Sequence, residues 1–190
     1  MRIRDKIKKP QRPVVAYEIL PPREKDGTLN AYAETISSLL SQTHIDAINI
    51  PEVHDEVGRG ERPVSNQERG EPRKFGMLLQ DIVGIEAIVN RVVVHMPLKK
   101  QMEWIQETYS QFEIDNLVIV GGESSKQKYP GPTVNESLEK ISQDNRLREN
   151  SILCGGICIP SRKKESKNLI RKSECGAEFF TTQVLSLIHI

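Results

Sequence analysis

The sequence has no long apolar run, little net charge and few cysteines. No stretch approaches the roughly 20 apolar residues that a bilayer-spanning helix needs. Residues 1–12 are basic without an apolar core, which excludes a secretory signal. They also lack serine and carry Asp5, which argues against a transit peptide. Residues 1–13 therefore read as a basic arm, solvated or forming a short helix before the first strand. A formal net charge of +1 excludes a nucleic-acid binder that relies on bulk positive charge. The three cysteines, Cys154, Cys158 and Cys175, are an odd number in a chain with no export signal. That predicts free thiols in a reducing, cytoplasmic setting. Cys154 and Cys158 flank Gly155-Gly156-Ile157, which is not a zinc spacing, so no metal is expected.

What is present suits one domain of 190 residues, 37% hydrophobic and 28% charged. Its organising stretch is Val14-Val15-Ala16-Tyr17-Glu18-Ile19-Leu20-Pro21-Pro22-Arg23. Val, Tyr, Ile and Leu favour a buried strand, and two prolines must end it near Leu20. Glu18 then lies near the strand's C-terminal end among apolar neighbours. A carboxyl there is desolvated and favours its neutral, proton-donating form. A structural ion pair with a Lys or Arg of the neighbouring strand is the plainer expectation for the same residue.

Thr28 predicts a helix N-cap, and the spacing of Leu29, Tyr32, Ala33, Ile36, Leu39 and Leu40 predicts one apolar helix face. Ile45–Ile50 reads as a second strand, stopped by Pro51. Residues 52–74, rich in charge and poor in apolar residues, read as a long loop. A helix is expected over Phe75–Val89, then a third strand over Arg91–Pro97 with His95 at its end. Lys99–Phe112 predicts a helix and Asn116–Val120 a fourth strand running into Gly121-Gly122-Glu123. A helix near Val134–Ser142 and a fifth strand, Ile152–Ile159, follow. Ser161–Cys175 reads as a basic helix and Ala177–Val184 as a sixth strand. Continuous Val/Ile runs alternating with helices predict a parallel sheet covered on both faces. Polar residues recur at the strand ends, at Glu18, His95, Glu123 and Gln183. In a (β/α)8 TIM-type barrel those ends meet at the catalytic face. That barrel, incomplete at six β/α units over residues 14–184, is the predicted fold, with an open doubly wound sheet as the alternative.

Five stretches, in order, resemble the methylenetetrahydrofolate reductase family. Tyr17-Glu18-Ile19-Leu20-Pro21-Pro22-Arg23 resembles its Phe-Glu-Phe-Phe-Pro-Pro-Lys/Arg start. Val93-Val94-His95-Met96 resembles the third strand, where a histidine lies by the flavin. Val118-Ile119-Val120-Gly121-Gly122-Glu123 resembles the fourth strand's Ala-Leu-Arg-Gly-Asp, whose carboxylate faces pterin and flavin. Asn168-Leu169-Ile170-Arg171-Lys172 resembles the flavin-binding helix Asn-Leu-Lys-Arg-Lys. Glu178–Gln183 resembles Phe-Ile-Ile-Thr-Gln, whose glutamine hydrogen-bonds the folate. The family's Arg-Gly-Asp is Gly121-Gly122-Glu123 here, and its Tyr-Pro at the fifth strand's end is Ile159-Pro160. The second strand's Thr has no clear match beside Asn49, Ile50 and Pro51.

The resemblance implies flavin-dependent reduction of 5,10-methylenetetrahydrofolate to 5-methyltetrahydrofolate in one-carbon metabolism. Glu18 would be the general acid, and Glu123 and Gln183 the substrate contacts. His95, Asn168, Arg171 and Lys172 would hold FAD, with NAD(P)H or another electron donor as reductant. An electron-donating partner or a homo-oligomer would accompany the folate substrate. Two other readings are a non-catalytic folate- or flavin-binding barrel subunit and an unrelated barrel lyase or aldolase. The last needs a Schiff-base lysine or phosphate loop, and neither is visible. Residues 185–190, Leu-Ser-Leu-Ile-His-Ile, match the translation of a transposon end used in sequencing libraries. They are expected to be a non-native tail following a truncated barrel, leaving His189 without a role.

Overall fold

The computed structural model describes residues 2–53, 69–122, 127–150 and 152–182. Glu123, Gln183, the 185–190 tail and most of the 52–74 loop lie outside the described residues. Strand order in the sheet is β1-β2-β3-β4-β5-β6, the order of the chain. A doubly wound sheet reverses its strand order part-way, whereas sequential order with intervening helices belongs to a (β/α) barrel. The chain divides into two compact units: residues to Asn90 with Glu107–Asn116, and Arg91–Gln106 with residues from Leu117 onward.

In the first unit, α1 (Ile3–Lys8) is docked rather than solvated. Ile3 is buried, and its N–H donates to Glu86, which also pairs with Arg2 at 3.1 Å. Arg2 further pairs with Asp115. β1 is short, Ala16–Glu18, and exposed along its length, contrary to the buried strand expected there. α2 (Leu29–Leu40) begins where Thr28 predicts, the Thr28 hydroxyl accepting from the Ala31 N–H at 3.3 Å. Its apolar face buries Ala33, Ile36 and Leu40. β2 (Ala47–Pro51) runs parallel to β1, with Glu18 beside Asn49.

The next helix, α3, is Pro72–Val83, not Phe75–Val89. Glu71 caps it by accepting from the Lys74 N–H, and Pro72 takes a first-turn position that needs no N–H. It ends at Gly84, whose φ of 71° is the left-handed C-cap geometry that glycine adopts without strain. Ala87, Ile88 and Val89 therefore belong to β3 (Ala87–Val92), pairing in parallel with β2.

The third strand thus starts four residues earlier than expected. The segment Val93–His95 is a 3₁₀ turn, which places His95 beyond the strand instead of at its end. Arg91, almost fully buried, places its guanidinium 4.3 Å from the centre of the Trp104 ring. Its Nε donates to Gln101 Oε1 at 2.8 Å, and Gln101 donates on to the Val93 carbonyl at 2.7 Å. Buried cations persist where such partners replace water. α4 (Leu98–Phe112) and β4 (Asn116–Val120) lie as expected.

In the second unit, α5 (Val134–Gln143) opens on a reciprocal capping box between Thr133 and Glu136. A short α6 (Asn145–Glu149), not anticipated from sequence, leads to β5 (Leu153–Cys158). α7 is Glu165–Glu174, starting four residues after the expected Ser161. β6 (Phe179–Thr182) pairs in parallel with β5.

Candidate functional site

β1 and β2 set one polar face. Ile50 of β2 points at α3, its Cδ1 lying 3.1 Å from where a Cβ on Gly76 would stand. Side chains alternate along a strand, so Asn49 points to the opposite face. Register puts Glu18 beside Asn49, Asn49 beside Ile88, and Pro51 beside Asn90. Glu18, Asn49 and Asn90 therefore share the face turned away from α3. Asn49 Nδ2 donates to Glu18 Oε2 at 2.9 Å. The observed partner of Glu18 is thus an amide of the neighbouring strand, in place of the expected Lys or Arg. Glu18 is exposed, so strand burial does not supply the desolvation expected of it.

The chain after Glu18 is fixed from across the sequence. Arg69 donates to the Pro21 carbonyl at 2.8 Å, and the Gly70 N–H donates to that of Pro22 at 2.9 Å. Arg23, at the end of the Pro-Pro-Arg stretch, is held by Asp26 through Nε at 2.7 Å and a second guanidinium nitrogen at 3.1 Å.

In the other unit, His95 meets the Tyr129 ring edge-on, centroids 5.6 Å apart. The turn beyond Tyr129 is held by the Gly131 N–H donating to the Val94 carbonyl at 2.8 Å. A side chain on Gly131 would meet the Met96 carbonyl oxygen at 2.4 Å, so the loop can lie this close only as glycine.

α7 collects its polar groups around Glu165, which sequence reasoning passed over. Glu165, 6% exposed, accepts from the Ile159 N–H at 2.9 Å and from Asn168 Nδ2 at 3.0 Å. Arg162 lies 3.5 Å from the same carboxylate and Lys172 3.9 Å. Burial alone would raise the Glu165 carboxyl. The bonds from Asn168 and Ile159, with the two cations, outweigh it and hold the carboxyl below its usual range. Lys172 is buried and donates to the Ile157 carbonyl of β5. Desolvation pulls its ammonium below the usual lysine range, against the favourable charge of Glu165. Arg171 is exposed.

Of the four residues assigned to a flavin, Asn168 and Lys172 are thus brought together, but around Glu165. A flavin phosphate needs a cation free to face it. Lys172, buried against Ile157 and Glu165, does not fit that role, and Asn168 is committed to the same carboxylate.

None of the three cysteines is in a disulfide, and among the described residues no cluster of His, Cys, Asp or Glu is placed to hold a metal ion. Among the described residues no helix is long and apolar enough to cross a membrane.

Parallel strands in sequential order with intervening helices define the class of fold, that of the (β/α) barrels. No protein-family model matches the chain, and no curated protein matches it. Among solved structures, it is similar to a protein from Clostridium thermocellum that binds two copies of 5-methyl-5,6,7,8-tetrahydrofolic acid. The TM-score is 0.73 at 19% identity, over 98% of this chain and 59% of that one. It is also similar to the N-acetylneuraminate lyase of Fusobacterium nucleatum complexed with pyruvate, with a TM-score of 0.52 at 11% identity. That match covers 92% of this chain and 55% of the lyase. The chain therefore spans little more than half the length of these two structures, and the likeness shows the fold.

Proposed function

We propose that this chain is the folate-handling part of a barrel protein, with Glu18 and Asn49 contacting the pterin. The observation that carries the reading is the Glu18–Asn49 pair at 2.9 Å, with Glu18 the last residue of β1, on the face turned from α3. A (β/α) barrel places its chemistry at such strand ends. The fold shared with a protein that binds 5-methyltetrahydrofolate supports the ligand class. The family resemblance implies Glu123 and Gln183 as further pterin contacts.

The finer reading is reduction of 5,10-methylenetetrahydrofolate to the 5-methyl compound. The methylene bridge is inert until it opens to an iminium ion, and opening needs a proton on the departing nitrogen. Glu18 is the proton donor. Asn49 holds the carboxyl in place through its amide N–H. The resemblance implies FAD as the hydride source, but the engagement of Asn168 and Lys172 with Glu165 does not fit a flavin site on α7.

The exposure of Glu18 and the commitment of Lys172 favour, as a second reading, a subunit that binds folate without turning it over. In the product of the whole gene, calorimetry with 5-methyltetrahydrofolate tests binding, and a methylenetetrahydrofolate reduction assay tests turnover. Glu18→Gln should lower turnover by roughly 10²–10⁴-fold. Near-wild-type turnover in that variant removes Glu18 as the acid. Binding with no turnover in the wild type leaves the non-catalytic reading.

A further inference from the structure

Asn49 and Asn90 carry an unusual feature. Each is 8% exposed, and among the described residues the side-chain oxygen of each is buried with no hydrogen-bond partner. Buried carbonyls are almost always bonded, because leaving one unmet costs its full desolvation. Two lie here on adjacent strands. The register pairs Asn49 with Ile88 and Pro51 with Asn90, so the two amides stand on one face, one strand over and two residues along. Glu18 stands on the same face, directly beside Asn49.

The orientation of Asn49 follows from chemistry. The amide turns its NH₂ toward the Glu18 carboxyl oxygen, which accepts at 2.9 Å. Its oxygen is left facing away from Glu18 with nothing to accept from. The two amides therefore present two unmet oxygens on one face, beside the Asn90 NH₂ and the second N–H of Asn49. A ligand that satisfies both oxygens must present two N–H donors along one edge. The aminopyrimidinone ring of a pterin does so with its 2-amino group and the adjacent ring N–H.

We propose that Asn49 and Asn90 are specificity-determining residues that accept hydrogen bonds from the N–H edge of a bound 2-aminopyrimidinone ring. This rests on the folate reading for the pterin as source of that ring. Guanine carries the same edge, so the two sources must be separated.

The test measures binding of three probes to the purified chain by calorimetry: 5-methyltetrahydrofolate, its 2-desamino-2-methyl analogue, and guanosine. The wild type should bind the 2-amino folate roughly 10- to 100-fold more tightly than the desamino analogue, the factor expected when a buried acceptor loses its donor. Asn90→Leu should lose a similar factor for the 2-amino folate and almost none for the analogue. Asn90→Asp, which keeps an acceptor, should recover part of the loss. The melting temperature separates this from a structural role. Replacing an unbonded buried amide by an apolar side chain of similar size should leave the unliganded chain equally or more stable.

Equal binding of the two folates by the wild type overturns the proposal without any variant. So does an Asn90→Leu chain that fails to fold, because the fold would then need the amide. Folate binding unaffected by Asn90→Leu overturns the proposal and leaves the folate reading standing. Guanosine bound in an Asn90-dependent way, with no folate bound, sustains the proposal and removes the folate reading. Binding of neither ring removes both.

Discussion

Asp46 ties together three stretches of the N-terminal third. Its carboxylate accepts from the Val15 N–H at 2.9 Å, from two Arg12 nitrogens at 2.9 and 2.8 Å, and pairs with Lys6 at 3.0 Å. The Val15 bond, against the cost of burial and helped by Lys6 and Arg12, draws the carboxyl from 3.8 down to about 2. A carboxyl depressed in the folded state stabilises the fold above its unfolded value and loses that contribution as pH falls through the folded one. The stability of the wild type should therefore drop between about pH 4 and pH 2, read by urea melts. In Asp46→Asn the drop over that window should be visibly smaller, and an identical profile would count against the assignment. Glu165 is a second buried carboxylate held below its usual range. Glu165→Leu leaves Lys172 buried without its carboxylate, which should cost roughly 3–5 kcal/mol of stability in a denaturant titration. Neither acid was legible in the sequence. Asp46 sits inside what reads as a strand and Glu165 inside what reads as a basic helix, and periodicity shows neither burial nor partner.

At the level of elements, the sequence misleads where one glycine changes its meaning. Gly84 inside an apolar run reads as a weak point in a helix that continues to Val89. In the structure it is the left-handed cap, and the apolar residues after it are a strand. That misplaced boundary also hides Asn90, which falls between the predicted helix and the predicted third strand but stands on the face of β3 turned away from α3. Gly84→Ala should cost on the order of 1 kcal/mol, because a Cβ is strained in the left-handed region. No change in the unfolding midpoint would mean that the cap is dispensable. The side-chain cap at Thr28 was readable in advance, whereas Glu71, which caps α3 ahead of the expected Phe75, was not. Thr28 starts α2 as its position predicts, and Asn116–Val120 is a strand with the predicted ends. Glu18 was legible as a strand-end carboxylate because two prolines follow it. Its exposure was not, since that depends on what covers β1 and on nothing within the stretch.

For the molecule as a whole, alternation of strand and helix was enough to predict a parallel sheet, and strand order bears out the barrel type over the doubly wound alternative. If the folate reading holds, 5-methyltetrahydrofolate at a hundred times its dissociation constant should stabilise the chain by about 2.7 kcal/mol. A melting temperature unmoved by saturating ligand speaks against it. The exposed β1 strand adds a dynamic consequence. It carries Glu18, yet its three residues are exposed, while residues 47–50 of β2 beside it are buried. Segments with little buried surface open locally at low cost. The Ile19 N–H, which donates to the Asn49 carbonyl at 2.9 Å, should therefore exchange with deuterium sooner than the amides of β2. A ligand gripping Glu18 and Asn49 can bind only the closed arrangement, so protection at Ile19 should rise in step with occupancy. The proton donor would then ride on the segment that breathes most readily, and part of the binding free energy would go into holding it still.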